Sequence, residues 1–210
     1  SADDAMVARA RAISGEFIGE VGISAWNGLA VARLCAKDGA SLRHDLTCVL
    51  TALGAHARAI EAVALRIEKQ SLWRYGGMDL SPAPLKDVSI GAALESFTGQ
   101  RVGASGTMTA AALITAALRD IPVKHAGYSG LMLPVLEDST LARRWSEGAL
   151  TLDSLLAYSA VCGTGLDTIP LPGDISEDQL ARIIGDMASL SVKWHKPLSA
   201  RLLPVKGKKA

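Results

Sequence analysis

The sequence predicts an α/β protein in which parallel strands alternate with helices. Three observations carry that expectation. From residue 72 onward, short apolar runs bounded by Gly, Pro and acidic residues alternate with stretches of helical periodicity. The apolar runs are near-continuous, as strands covered on both faces require. The 210-residue chain is 49% hydrophobic, long enough for one well-buried core.

The elements follow in order. Residues 3–14 and 26–37 have helical composition, interrupted between them by Gly15, Gly19 and Gly22. A long helix is predicted over about 44–70, where Leu46, Val49, Leu50, Leu53, Ile60, Val63 and Ile67 recur at helical spacing. His44 and His56 in this stretch read as surface or capping groups. Residues 1–71 thus form a mainly helical segment, and 72–210 a β/α unit. Trp73 to Leu80 reads as a strand ended by Ser81-Pro82-Ala83-Pro84, which forbids a helix. Residues 88–97 form a short helix, and Thr107 to Leu118 a strong one with Thr107 as its N-cap. Tyr128 to Val135 reads as a buried strand. Ser139–Glu147 and Thr151–Val161 read as helices, and Leu166–Leu171 as a strand. Ser176-Glu177-Asp178-Gln179 is a capping box that opens a helix running to about Trp194. Leu198 to Val205 closes the chain as a strand.

Composition narrows the function classes. The net charge is +1 and aromatics are 4%, which gives neither an electrostatic bias toward nucleic acid or membrane nor a platform for stacked bases. Mean hydropathy is +0.24, yet no apolar run approaches the ~20 residues of a membrane span. Cys35, Cys48 and Cys162 are odd in number with no C-x-x-C spacing. That points to a reducing, cytoplasmic setting without disulfides or structural zinc. Ser1 reads as a trimmed end more readily than as a terminal nucleophile, since no partner base is identifiable beside it.

In parallel sheets ligands sit beyond the carboxyl ends of the strands. Here those ends are rich in acids. Tyr158 to Asp174, YSAVCGTGLDTIPLPGD, carries Asp167 within a strand and Asp174 beyond it. Strand 128–135 leads into Glu137 and Asp138, and the last strand carries Arg201 after Lys196. If these ends converge, Glu137, Asp138, Asp167 and Asp174 could bind a divalent metal through oxygen, or supply an acid and base. Arg201 and Lys196 would hold an anionic group of a small metabolite. Asp138 and Asp174 fit helix caps equally well. Asp167 is harder to explain away, because a lone carboxylate in a buried strand is costly unless paired. Arg201 is its natural partner.

Other residues carry weaker signals. Gly106 and Thr107 close a Gly-rich turn whose bare amides could cradle phosphate, although no Walker A lysine follows. Ser129 lies in Gly127-Tyr128-Ser129-Gly130, which is not a G-x-S-x-G elbow. Cys162 could be a nucleophile, or an inert buried thiol. His125 and His195 are isolated.

Together the segments 126–142, 158–174 and 196–208, with 76–84 and 103–118, resemble the uncharacterised domain-of-unknown-function family seven-eleven. That resemblance implies half of a ten-stranded α/β barrel like that of pyruvate formate-lyase. Family members are about twice this length, so the chain resembles a C-terminal half. A companion chain or a second copy is then expected to complete the barrel, because half a barrel exposes an apolar edge. No glycyl-radical motif is recognisable, so acid–base or metal-assisted chemistry is favoured over radical chemistry. The expectation is an enzyme, or half of one, acting on a small anionic metabolite. The alternative is a non-catalytic metabolite-binding or structural subunit.

Overall fold

A computed structural model describes residues 16–19, 23–24 and 42–208. The helical compositions at 3–14 and 26–37, with Cys35, lie outside the described residues. Every strand pair among the described residues is parallel. Strand β1 (Glu16–Gly19) pairs with β3 (Arg74–Met78), and β2 (Ile23–Ser24) pairs with β4 (Pro82–Ala83). Strand β5 (Gly165–Pro172) pairs with β6 (Ser199–Val205).

Parallel neighbours need long crossovers, and helices supply them. Helix α1 (Leu42–Gln70) precedes β3. It buries Leu53, Ala57, Ala64 and Ile67, a stripe at helical spacing. Leu53, Ala57 and Ala64 of that stripe pack with Tyr75, Met78 and Leu80 of the β3 region and with Leu118 and Ile121. Helices α2 (Ile90–Thr98), α3 (Thr107–Arg119), α4 (Ser139–Ser146) and α5 (Leu152–Ser159) follow, and α6 (Glu177–Trp194) connects β5 to β6. The capping box of α6 forms as predicted, with Ser176 Oγ accepting from the Gln179 amide at 3.2 Å. The main core lies around β5, where Leu166, Ile169 and Leu171 meet Leu131, Leu133, Leu141 and Leu155.

Two predicted local features differ. Thr107 is the first helical residue of α3 and not its cap; Gly106 takes that position with φ 101°. The Thr107 hydroxyl instead accepts from the Gly103 amide at 3.1 Å, closing the turn. The stretch predicted as a strand over 128–135 is extended and buried but carries no regular ladder. Ser129 has φ 43°, and Pro134 has no amide proton to donate.

The segment from Lys124 to Val135 nonetheless joins the strand pairs. The Met78 amide donates to the Lys124 carbonyl at 2.8 Å, and Ala126 donates back to Met78 at 3.0 Å. Further along, Gly163 donates to the Leu131 carbonyl at 2.7 Å, and Val135 donates to the Asp167 carbonyl at 3.0 Å. The segment therefore runs beside β3 at one end and beside β5 at the other. The result is a mixed α/β architecture whose parallel strand pairs, among the described residues, do not close into a barrel. Among the described residues no helix is long and apolar enough to cross a membrane.

Candidate functional site

The site begins with an irregularity in β5. Leu166 faces Ala200 and Ile169 faces Leu202 in the register. Two residues, Asp167 and Thr168, therefore oppose the single Arg201. This is a β-bulge, a feature that re-aims side chains and is over-represented beside active sites. Thr168 adopts φ 46°. For a β-branched residue that left-handed conformation is an outlier, and such strain costs about 1–3 kcal/mol. Two bonds from the neighbouring segment hold it there. Leu136 donates its amide to Thr168 Oγ1 at 3.2 Å, and Val135 donates to the Asp167 carbonyl.

The bulge presents the Asp167 carboxylate to Arg201. Arg201 Nε donates to Asp167 Oδ1, and Arg201 Nη1 pairs with Glu137 Oε1 at 3.0 Å. The Asp167 side chain is 3% exposed, against 50% for Arg201 and 41% for Glu137. Asp167 Oδ2 is buried with no hydrogen-bond partner. So is Thr164 Oγ1, three residues earlier in the chain. An unpaired buried acceptor is costly, which makes Asp167 Oδ2 the least explained polar atom of this face. The hydrogen bond that Arg201 donates to Asp167 holds the Arg201 pKa above its ordinary value against burial, so the guanidinium stays charged.

The other expected site residues are dispersed. Asp138 faces helix ends instead of the bulge. Its Oδ1 accepts from the Thr140 and Leu141 amides, each at 2.9 Å, and from Ser89 Oγ at 2.7 Å. Its Oδ2 accepts from the Gly91 amide at 3.2 Å. One buried carboxylate thus serves the N-termini of both α2 and α4. Asp174 is exposed and caps nothing, since Ser176 is the N-cap of α6. It lies past the far end of β5, and the five residue steps from Asp167 to Pro172 alone span about 16 Å of strand. There it borders a groove of about 490 Å³ lined by Leu152, Leu171, Ile175, Ile183 and Arg182.

The four acids therefore do not converge. Among the described residues no three Asp, Glu, His or Cys side chains group as a metal ion would require. Between the two acids that do meet, Glu137 and Asp167, stands a guanidinium. This donor set does not fit a divalent cation.

Lys196 is also committed. Its ammonium donates to the Ser159 carbonyl at 3.0 Å and to the Cys162 carbonyl, closing the end of α5. Burial holds its pKa below the ordinary range, opposed by the nearby Cys162 and reinforced by Arg119. Cys162 is a free, buried thiol. Ser129 is buried, with its hydroxyl donating to the Ala126 carbonyl at 3.0 Å. Gly106 is exposed, and Thr107 is occupied by its own turn. His125 and His56 join no acid cluster among the described residues.

Two organising residues carry no signal in the sequence. Asp79 fastens the turn before Leu131, accepting from the amides of Tyr128 at 3.0 Å, Ser129 at 3.0 Å and Ser81 at 2.9 Å. Thr168 sets the bulge, and only its backbone angle reveals it.

The family model described as "Uncharacterised ACR (DUF711)" matches residues 8–210. A UPF0210 protein of Pyrobaculum arsenaticum is 42% identical over 153 residues, covering 70% of this chain and 34% of the relative. A UPF0210 protein of Desulforudis audaxviator is 35% identical over 187 residues, covering 86% of this chain and 41% of the relative. One from Leuconostoc mesenteroides is 35% identical over 166 residues, covering 76% and 36%. The chain spans about a third to two-fifths of the length of these curated relatives.

Proposed function

We propose that this chain, which belongs to the uncharacterised DUF711 family, is the C-terminal part of an enzyme that acts on a small polar metabolite at the β5 bulge. The observation that carries this reading is Asp167: a buried carboxylate on a strained bulge, with one oxygen on Arg201 and the other unpartnered. Strain held in place by neighbouring hydrogen bonds and an unsatisfied buried acceptor are both costly to folding. Chemistry at this point is a reason for a protein to keep them. Asp167 is the candidate acid or base, and Arg201 orients an anionic group of the substrate. Glu137 positions Arg201 through its ion pair.

The metabolite approaches from the side of β6, whose residues are largely exposed. The same exposure motivates the proposed quaternary arrangement. Among the described residues β6 has β5 as its one strand neighbour, so its outer edge is free. A further strand, from a companion chain or a second copy, would cover it and extend the sheet toward a half-barrel or barrel. In this arrangement β3 to β6 belong to the β/α half, β1 and β2 add parallel strands beside β3 and β4, and helix α1 packs on the β3 region. The cysteines suit a reducing, cytoplasmic setting.

The test is turnover in a small-molecule extract of the host, followed by mass spectrometry. The protein is used with any companion chain that co-purifies. The reading expects a species consumed by the wild type and spared by Asp167→Asn. Equal consumption by both proteins refutes it. A second reading rests on the free β6 edge: a non-catalytic subunit that completes a partner's sheet. That reading expects a partner's activity to be unchanged by Asp167→Asn and lost when β6 is disrupted by Leu202→Pro.

A further inference from the structure

The bulge site has a charge pattern that specifies more than "polar". We infer that it recognises a zwitterion, a small molecule with a carboxylate and an ammonium a few bonds apart, such as an α-amino acid. This rests on the proposed function and names its substrate class.

The argument starts from charge. Arg201 is the single cation paired to two carboxylates, Asp167 and Glu137. The cluster is therefore net negative by one, and a purely anionic ligand would meet a field of its own sign. The other cation expected to hold an anion, Lys196, is spent on the Ser159 and Cys162 carbonyls. A ligand that is only an anion has one guanidinium, already shared, to bind. A ligand with an added positive charge restores neutrality.

The unfilled hydrogen-bonding positions say the same. Nε and Nη1 of Arg201 are engaged, while Nη2 has no partner among the described residues. Nη2 offers N–H donors to a ligand carboxylate. On the acceptor side, Asp167 Oδ2 is buried without a partner, and the whole residue is 2% exposed. An ionised carboxylate oxygen accepts and does not donate, so the group it awaits must carry a hydrogen. An ammonium does so with three. Glu137, 41% exposed, stands on the other side of Arg201 as a first contact for that charge from solvent. One free donor position and one free acceptor on a single ion-paired cluster match the two ends of a zwitterion. In this proposal the ligand reaches Asp167 from the side of Arg201, whose side chain is 50% exposed against 3% for Asp167.

The test uses three probes of nearly equal size: L-alanine, propionate and ethylamine. Binding is measured by calorimetry on the protein with any companion chain that co-purifies. L-alanine is expected to bind at least about tenfold more tightly than either single-charge probe, one charge-assisted contact being worth about that factor. Glu137→Gln and Asp167→Asn should lower L-alanine affinity while leaving propionate affinity unchanged or improved. Arg201→Gln should lower both. Propionate binding as tightly as L-alanine, with loss in Arg201→Gln, would overturn the zwitterion while leaving the site intact. No binding of any probe, together with unchanged extract turnover in Asp167→Asn, would overturn the site itself.

Discussion

Replacing Asp138 by alanine should separate the scaffold from the site. The carboxylate is 1% exposed and accepts from Ser89 Oγ and the amides of Gly91, Thr140 and Leu141. Losing a side-chain cap costs about 1 kcal/mol at a helix N-terminus. The substitution also leaves the Ser89 hydroxyl and the Gly91 amide buried beside a small void, at about 1–3 kcal/mol for each unpaired donor. The sum is roughly 3–7 kcal/mol, a large part of a total stability of about 5–15 kcal/mol. Urea unfolding measures it through the midpoint at constant slope. In a domain of this size the same loss lowers Tm by about 6–28 °C. Asp138→Asn keeps one acceptor oxygen and should lose about half as much. A loss below about 1 kcal/mol in Asp138→Ala would refute the reasoning, because it would mean that both helix ends find other acceptors at little cost.

The remaining predictions concern other contacts. Glu95 accepts from Arg144 Nε at 2.6 Å and Nη2 at 2.8 Å, and that bonding holds its pKa below the ordinary value. A depressed folded-state pKa stabilises the protein above the unfolded value, near 4.5, and that stability is lost as pH falls through the folded value. Glu95→Gln should therefore be less stable than wild type at pH 7, with the difference shrinking below about pH 4.5 in parallel urea titrations. Gly130→Ala places a Cβ 2.8 Å from Gly163 Cα and 2.9 Å from Thr115 Cγ2. It should part the extended segment from β5 and cost more than about 2 kcal/mol, read by denaturant unfolding. Gly103→Ala should be at least as severe, since φ is 102° and the new Cβ would overlap the Ala149 carbonyl.

Helices were the most legible part of the sequence, because their signals are local. The stripe from Leu53 to Ile67 and the Ser176–Gln179 box both lie where periodicity and capping place them. Strands β5 and β6 were legible as apolar runs bounded by Gly and Pro. The segment 128–135 misled because its apolar alternation is that of a strand, while Ser129 and Pro134 break the ladder. Capping of α3 passed to Gly106 because a left-handed residue was needed at the turn, and there the threonine hydroxyl serves the loop.

At the site, the Asp167–Arg201 pairing was readable, since a buried strand acid must find a cation. The fate of Asp138 was not, because its partners Ser89 and Gly91 lie almost fifty residues away in the chain. Convergence of the four acids failed for a geometric reason: Asp167 sits early in β5 and Asp174 beyond its end. The bulge itself has no sequence mark. Thr168 is an ordinary strand residue by composition, and only the register against β6 exposes it.

Native mass spectrometry of the protein purified from its own host tests the central claim most directly, with wild type compared to Asp167→Asn. In this variant asparagine keeps an acceptor for Arg201, so stability should stay within about 1 kcal/mol of wild type. The account predicts a small bound molecule in the wild type that is absent from the equally folded variant. The same molecule retained by both proteins, or none in either, would contradict it.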